Sequence, residues 1–600
     1  MGGVQPGRPT EVGTGAVVRT VRILVDVLGV DREFDYRLPD SLGEVEVGTI
    51  VRVPLAGRRV RGWVTCLDSA PPDGVVLKEV LGVVGCGPAP EVIELARWAA
   101  WRWAGRRPRF LRTASPERVV RTVPARPSQP ALAARFQGSV LRVPPAADGL
   151  GEVLPWVGER MGHGGSVLLL VPALERVEPV ARRLREKGFP VAITPRGWSE
   201  AASGTRVVIG SRAAAWAPAP ALSGVVVLDA HDEAYREERA PCWNAVVVAE
   251  ERARRGGVPF LAVSPCPTVE LLEGRDLHTV SRSEERAGWA PLLVVDMGRS
   301  DPAQGLYSEQ LVRLLSEADR RPGAQVLCVI NRRGRSGLIA CGSCRALMRC
   351  EGCGGPVAEV SEGLRCRVCG TTRPLICSGC GSTSVRRLRP GVSRVAEELS
   401  ALTGARVEEV WGDKRTEGGP VAGSAVVVGT EAVLHRVPSA GAVAFLDFDR
   451  ELLAARFGAA EHALSLLARA SRVVGGRSAR GRVLVQSRMP DHEVISAVLH
   501  SDPSIVAADE RARRFELGLP PFGALALVSG EGAGEMLGLK EPETGAGEAV
   551  ALAGGLESSE IAPGRWLVRG ANHRVLCDVI SSVRGDGGGR LRIEVDPVDV

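Results

Sequence analysis

Residues 341–380 read CGSCRALMRCEGCGGPVAEVSEGLRCRVCGTTRPLICSGC, which places four C-x-x-C pairs in forty residues: Cys341/Cys344, Cys350/Cys353, Cys366/Cys369 and Cys377/Cys380. A C-x-x-C turn aims two thiolates at one point, and two such turns complete a tetrahedral four-sulfur zinc site. Eight cysteines therefore predict two closed sites. Loop length selects the pairing. Five residues separate the first pair from the second, short for a zinc ribbon, whereas twelve separate the second from the third, a comfortable hairpin. The expected solution is nested: an outer site of Cys341, Cys344, Cys377 and Cys380, and an inner site of Cys350, Cys353, Cys366 and Cys369. With every coordination position taken by sulfur, both zincs should be structural rather than catalytic. Disulfides are the competing chemistry, but regular knuckle spacing in a chain expected to be cytoplasmic favours metal.

The rest of the composition sets limits. Six hundred residues imply several domains. No run approaches the ~18 uninterrupted apolar residues of a membrane span. The apolar segment Val21–Val30 is broken by Arg22 and Asp26 and lacks a cleavage-type flank, so it is not read as a signal peptide. Cys66, Cys86, Cys242, Cys266, Cys328 and Cys577 are scattered without metal spacing and should stay reduced. A formal charge of +6 is too mild for this length to argue for nucleic acid. Only four lysines occur, Lys78, Lys187, Lys414 and Lys540, and the other basic residues apart from histidine are arginine. Abundant arginine alone thus says little about phosphate binding.

Residues 1–16 are a Gly/Pro-rich tail expected to be disordered. Short alternating segments (VRILVDVLGV, FDYRLP, GTIVRVPL, RVRGWVTCL) make 17–122 a β-rich domain, closed by the helix EVIELARWAAWRWAGRR. A linker is expected at 123–137. Apolar strands alternating with amphipathic helices over 138–288, and again over 289–337 and 389–500, predict two parallel α/β lobes, the second interrupted by the zinc insert at 338–388. A small α+β domain should occupy 501–600.

FDYRLP, GTIVRVPL, VVIGSRAAAWAP, SPCPTVE, NRRGRSG, the cysteine array, VVVGTEA, DERARRFELGLPPFGALAL and the terminal VDP occur in this order. Together they resemble the primosomal protein N′ (PriA) family of replication-restart helicases over almost the whole chain. The resemblance implies RecA-like helicase-type lobes and an N-terminal domain that captures the 3′ end of a nascent strand. Carried over position by position, the 3′-end residues are Phe34, Asp35, Tyr36, Gly57 and Lys78. Aromatic faces would stack a terminal base, the acid would accept from the 3′-hydroxyl, and Gly and Lys would admit a phosphate. The bland alternative is that FDY merely packs a β-barrel.

The resemblance fails where ATP chemistry should be. A Walker A loop needs backbone N–H groups around phosphates, a Lys and a Ser/Thr. Here the stretch is SVLRVPPAADGLGEVL: Pro144 and Pro145 remove two N–H groups, Gly149-Leu150-Gly151 stands where G-K-T is expected, and no lysine lies between Lys78 and Lys187. The family's D-E-E-H has become Leu228-Asp229-Ala230-His231, so Gly149, Gly151 and Asp229 mark a degenerate nucleotide site. In VVGGRSAR, which resembles the family's late arginine motif, Arg477 and Arg480 stay in register, as relics or solvated residues or as DNA contacts. No catalytic residue is therefore assigned, and ATP and Mg²⁺ are not expected as cofactors. The winged-helix domain usual after the N-terminal domain is also missing. Trp98, Trp101 and Trp103, interleaved with Arg97, Arg102, Arg106, Arg107 and Arg109, could stack on nucleic acid or anchor their helix. Arg345, Arg349, Arg365, Arg367, Arg373, Arg386, Arg387 and Arg389 thread the zinc stretch and could track a phosphate backbone.

The resulting expectation is a cytoplasmic, nucleoid-associated, monomeric DNA-binding restart protein with two Zn²⁺ per chain and no ATPase of its own. Its expected partners are forked or branched DNA, the replicative helicase, other primosome proteins and single-stranded DNA-binding protein. The alternatives are an active ATP-dependent 3′→5′ helicase and a partner-binding scaffold without DNA affinity.

Overall fold

A computed structural model describes residues 19–598 except 28, 71–73, 125–134, 163, 301–304, 320–324, 331–337, 353–356, 361–362, 367–370, 389–391, 405–406, 411–424, 539–549, 553–554 and 584–590. The expected tail 1–16, most of the linker, and Cys353 and Cys369 lie outside the described residues.

The N-terminal strands form an antiparallel sheet in the order Glu33–Arg37, Thr20–Val25, Arg58–Leu67, Ile50–Leu55, Gly82–Gly85. A parallel bridge between Arg37 and Glu79 and a bond from Leu81 N–H to the Arg52 carbonyl join its two edges into a small barrel. Strand alternation sends Val21, Ile23, Tyr36, Val51, Val53 and Val64 inward. Helices Pro90–Arg102 and Arg107–Ala114 cover the outer side at Leu24 and Trp63.

The first lobe is a seven-stranded all-parallel sheet ordered Asp276–Thr279, Gly138–Arg142, Phe260–Ser264, Leu222–Leu228, Ser166–Leu170, Val207–Gly210, Val191–Ile193. Six of these are the strands expected from the sequence. The exposed edge strand Asp276–Thr279 was not, because DLHT carries no apolar alternation. The second lobe is a six-stranded parallel sheet ordered Leu292–Asp296, Arg482–Ser487, Ala442–Phe445, Val326–Val329, Val426–Gly429, Val407–Val410. Both sheets are Val/Leu-rich and buried on two faces, as parallel sheets require.

The cysteine stretch leaves the second lobe after Val326–Val329. Strand Leu338–Cys341 pairs with Val385–Leu388 at its base, and Val357–Val360, Gly363–Cys366 and Thr372–Arg373 form a second small sheet. The last unit is a five-stranded antiparallel sheet with helix His573–Val583 packed on it.

That helix answers the question of the tryptophans. Trp101 Nε1 donates to Asp578 at 2.8 Å, Arg102 is buried against Asp596 at 2.6 Å, and Trp98 meets Trp103 edge-on at 5.4 Å. The Trp–Arg helix is an internal joint between the N-terminal and C-terminal domains and not a stacking surface.

Candidate functional site

In the zinc insert, Cys341, Cys344, Cys377 and Cys380 come together with all four Sγ atoms within 4.8 Å of one another. The closest approaches are 3.5 Å for Cys341–Cys380 and 3.6 Å for Cys344–Cys377. A tetrahedral Zn–S distance of ~2.3 Å places sulfurs about 3.8 Å apart, so the donor set fits the metal. Backbone N–H groups of Cys344 and Ser343 point at Cys341 Sγ and lower its thiol, while the hydrogen bonds among the sulfurs raise Cys344, so the four thiols share their protons as one set. Cys350 and Cys366 are buried in the same eight-residue core as Cys341 and Cys377. So small a core cannot stand without cross-links. The outer set is thus assembled as the nested pairing requires, and half of the inner set is placed.

In the cleft between the lobes, the loop after Gly138–Arg142 presents no phosphate cradle. Ala146 N–H donates to the Gly288 carbonyl at 3.2 Å, Ala147 N–H to the Pro144 carbonyl at 2.9 Å, and Leu150 N–H to Asp148 at 3.1 Å. These three donors are taken by the protein itself. Gly149 keeps a left-handed φ of +75°, but Leu150 is fully buried in the lobe core, where it fills space beneath the loop. Gly151 sits just inside the helix Leu150–Gly162.

Asp229 is buried at the end of strand Leu222–Leu228 and is fully committed. Arg472, on helix Ala459–Val474 of the second lobe, grips it through two bonds of 2.8 Å. The same guanidinium donates to the carbonyls of Pro145 at 2.9 Å and Ala147 at 3.2 Å, and Arg176 adds a second cation to Asp229. Burial opposes ionisation here, but the charge and hydrogen bonds of Arg472, with Arg176, more than offset it and hold Asp229 well below the usual carboxylate range. With three hydrogen bonds from two guanidinium groups already on it, this carboxylate is neutralised in place and makes a poor Mg²⁺ ligand. Burial also lowers His231 to about 4, leaving a neutral ring against the Ser264 hydroxyl at 3.0 Å.

The interlobe contact extends along the same helix. Arg469 meets Asp232 at 2.5 Å, and Arg456 and His462 both meet Glu233, the latter at 3.2 Å. Arg477 Nε donates to the Arg286 carbonyl at 2.9 Å, while Arg480 is exposed. Sequence reading missed Arg456, His462, Arg469 and Arg472. Their acidic partners on the first lobe lie more than two hundred residues away, so no local pattern marks the contact.

A pH dependence follows from His462. Burial disfavours its charge, but Glu233 and Glu431, with Glu451 at 3.8 Å, raise it to about 9 despite the adjacent Arg456. A raised histidine stabilises fully below its unfolded value of ~6.5 and loses that contribution, at most about 3 kcal/mol, as pH rises through 9. Glu233, lowered to about 2 by His462 and Arg456 against its burial, is stabilising above ~4.5. The interlobe contact should therefore be tightest between about pH 4.5 and 6.5. Melting temperature should fall between pH 6.5 and 9.5 in the native chain, and His462→Gln should flatten that fall. Parallel profiles would remove the assignment.

The residues assigned to 3′-end binding divide between the faces of strand Glu33–Arg37. Tyr36 is a core side chain whose hydroxyl donates to the Pro54 carbonyl at 3.2 Å, and Phe34 is half-buried against the same core. Tyr36 thus offers no free face to stack a base. It pins the hairpin joining Ile50–Leu55 to Arg58–Leu67, whose tip carries Gly57 at φ +78° with open space around its Cα. Asp35 points outward and accepts from Arg22 Nε at 3.0 Å. Lys78 is exposed, and its carbonyl accepts from the Arg37 N–H beside Asp35.

A family model described as the PriA "3'DNA-binding domain (3'BD)" matches residues 22–116, the barrel and its two helices. The chain is 32% identical over 568 residues to the probable replication restart protein PriA of Mycobacterium tuberculosis, covering 84% of this chain and 86% of that protein. It is 27% identical over 416 residues to the replication restart protein PriA of Haemophilus influenzae, with 63% and 56% covered. To the Bacillus subtilis protein of that name it is 26% identical over 404 residues, with 62% and 50% covered. With a barrel that matches the 3'DNA-binding-domain model, two parallel α/β lobes and a cysteine knob arranged along one continuous similarity, this chain belongs to the replication restart protein PriA family.

Proposed function

We propose that the chain is a DNA-binding replication-restart protein of the cytoplasm and nucleoid. It engages forks and D-loops through a free 3′ end and helps reload the replicative helicase, without hydrolysing ATP. The observation that carries this reading is the contrast between two sites. The barrel keeps Lys78 exposed, Asp35 on its outer side against Arg22, and an open Gly57 turn, whereas the nucleotide stretch has no lysine and its one surviving acid, Asp229, is held by Arg472 and Arg176. Phosphoryl transfer relies on positioning and charge neutralisation, and neither a phosphate Lys nor a free Mg²⁺ acid is in place. Two structural zincs keep the cysteine knob folded as a contact surface. DNA, the replicative helicase and single-stranded DNA-binding protein are the partners this role requires.

The test is fork binding and ATP hydrolysis on one zinc-loaded preparation. A fork with a 3′-hydroxyl should bind roughly tenfold tighter than the same fork with a blocked end, the value of one charge-assisted hydrogen bond. DNA should not stimulate ATP hydrolysis. Equal affinity for both ends would remove the 3′-end role, and DNA-stimulated hydrolysis abolished by Asp229→Asn would restore the motor.

A further inference from the structure

The hairpin of the N-terminal barrel carries four arginines, Arg52, Arg58, Arg59 and Arg61, all exposed. Arg52 lies directly across from Arg61 in the antiparallel register, and Arg59 lies across from Pro54. By alternation Arg52, Arg59 and Arg61 share the outer face, with Arg58 at the turn. Like charges directly opposed across strands are destabilising. Among the described residues no carboxylate pairs with any of the four. Acids do stand close by in the chain, but other cations take them: Asp26 is held by Arg112 at 2.5 Å, Asp31 by Arg107 at 2.7 Å, Asp35 by Arg22 at 3.0 Å, and Glu79 by Arg37. On its other side Arg52 is paired with Gly82, which has no side chain to shield it. The result is a rigid two-stranded ribbon with an uncompensated positive face, leading to the Gly57 turn.

We propose that this arginine face is a second DNA contact, which holds the phosphate backbone of the arm that ends in the captured 3′ terminus. The proposal rests on the 3′-end reading given above and adds the surface along which the arm runs. A polyanion relieves the Arg52/Arg61 repulsion and gains charge-assisted bonds from guanidinium groups suited to phosphate. Such contacts position DNA without reading its sequence.

The test uses full-length zinc-loaded protein and synthetic forks with a duplex or a single-stranded 3′ arm. Arg52→Ser/Arg61→Ser should weaken fork binding and lower the slope of log affinity against log salt by about 2, near 0.9 per lost contact on a duplex arm and 0.7 on a single strand. Preference for a 3′-hydroxyl over a blocked end should stay as in the native chain. Melting temperature should hold or rise, because a like-charge pair has been removed. Arg52→Lys/Arg61→Lys should restore the slope. Native binding with 3′-end preference but an unchanged slope in the Ser variant overturns the arginine contact alone, and so does a fall in melting temperature. A native chain that binds no fork overturns the function reading on which it rests.

Discussion

Arg514→Met should destabilise the protein by about 3–5 kcal/mol, the cost of breaking a buried ion cluster from one side. Arg514 is fully buried on helix Ser504–Glu516, although it lies in a sequence that looks like a solvated charged run. Its Nε donates to Glu510 at 2.8 Å, its Nη1 to Glu270 of the first lobe at 2.5 Å, and its Nη2 to Glu461 of the second lobe. The guanidinium also sits 4.3 Å from the Phe457 ring centre. One side chain therefore ties three regions of the chain. Its loss would leave the buried Glu461 without a cation, while Glu510 would keep only Arg513 at 2.5 Å. Burial and the neighbouring Glu270 already push Glu461 up to about 8 against the pull of Arg514, so the cluster has little spare compensation. Urea unfolding followed by tryptophan fluorescence measures the effect. Adding Glu461→Gln to Arg514→Met should recover part of the loss, because a neutral amide replaces a buried acid that has lost its cation. A loss below about 1 kcal/mol would show that the carboxylates take up protons freely and that the cluster is not the joint.

Cys344→Ser should release one of two bound zincs and unfold the base of the cysteine knob while the lobes stay folded. The knob's own core has eight buried residues, four of them cysteine, so its folding free energy is metal-binding free energy, of order 10 kcal/mol for a structural zinc. The lobes have their own large cores and do not depend on it. Metal content should fall from two zincs to one per chain, and hydrogen-exchange protection should be lost across the strands Leu338–Cys341 and Val385–Leu388. Unchanged metal content would refute the outer site. If fork and partner binding both survive the unfolded knob, the knob is a relic and not a contact surface.

The parallel lobes were legible because buried strands write long Val/Leu runs, and segments such as GVVVL or SVLLLV need no partner to be recognised as strands. The outer cysteine set was legible because its ligands come in local pairs and only the closing of one loop remained to be inferred. The Trp–Arg helix was ambiguous for the opposite reason. Trp101 and Arg102 find their partners at Asp578 and Asp596, nearly five hundred residues away, and no local pattern distinguishes a stacking surface from a joint. Tyr36 shows the same limit: FDY could be a base platform or barrel packing until alternation and closure sent the ring inward.

By itself the sequence determined that this chain has a four-pair cysteine array, two parallel lobes and no lysine in the stretch where a Walker A loop is expected, because composition and short-range spacing carry those facts. Only the tertiary structure decided which charges are spent and which are free. Arg472 and Arg514 read in the chain like any other arginine, as do Arg52 and Arg61. Folding brings acids to the first two and withholds them from the second two, so the former lock the molecule together and the latter are left facing solvent. Charge pairing is a long-range property of the fold, and it separates the closed nucleotide cleft from the open arginine face.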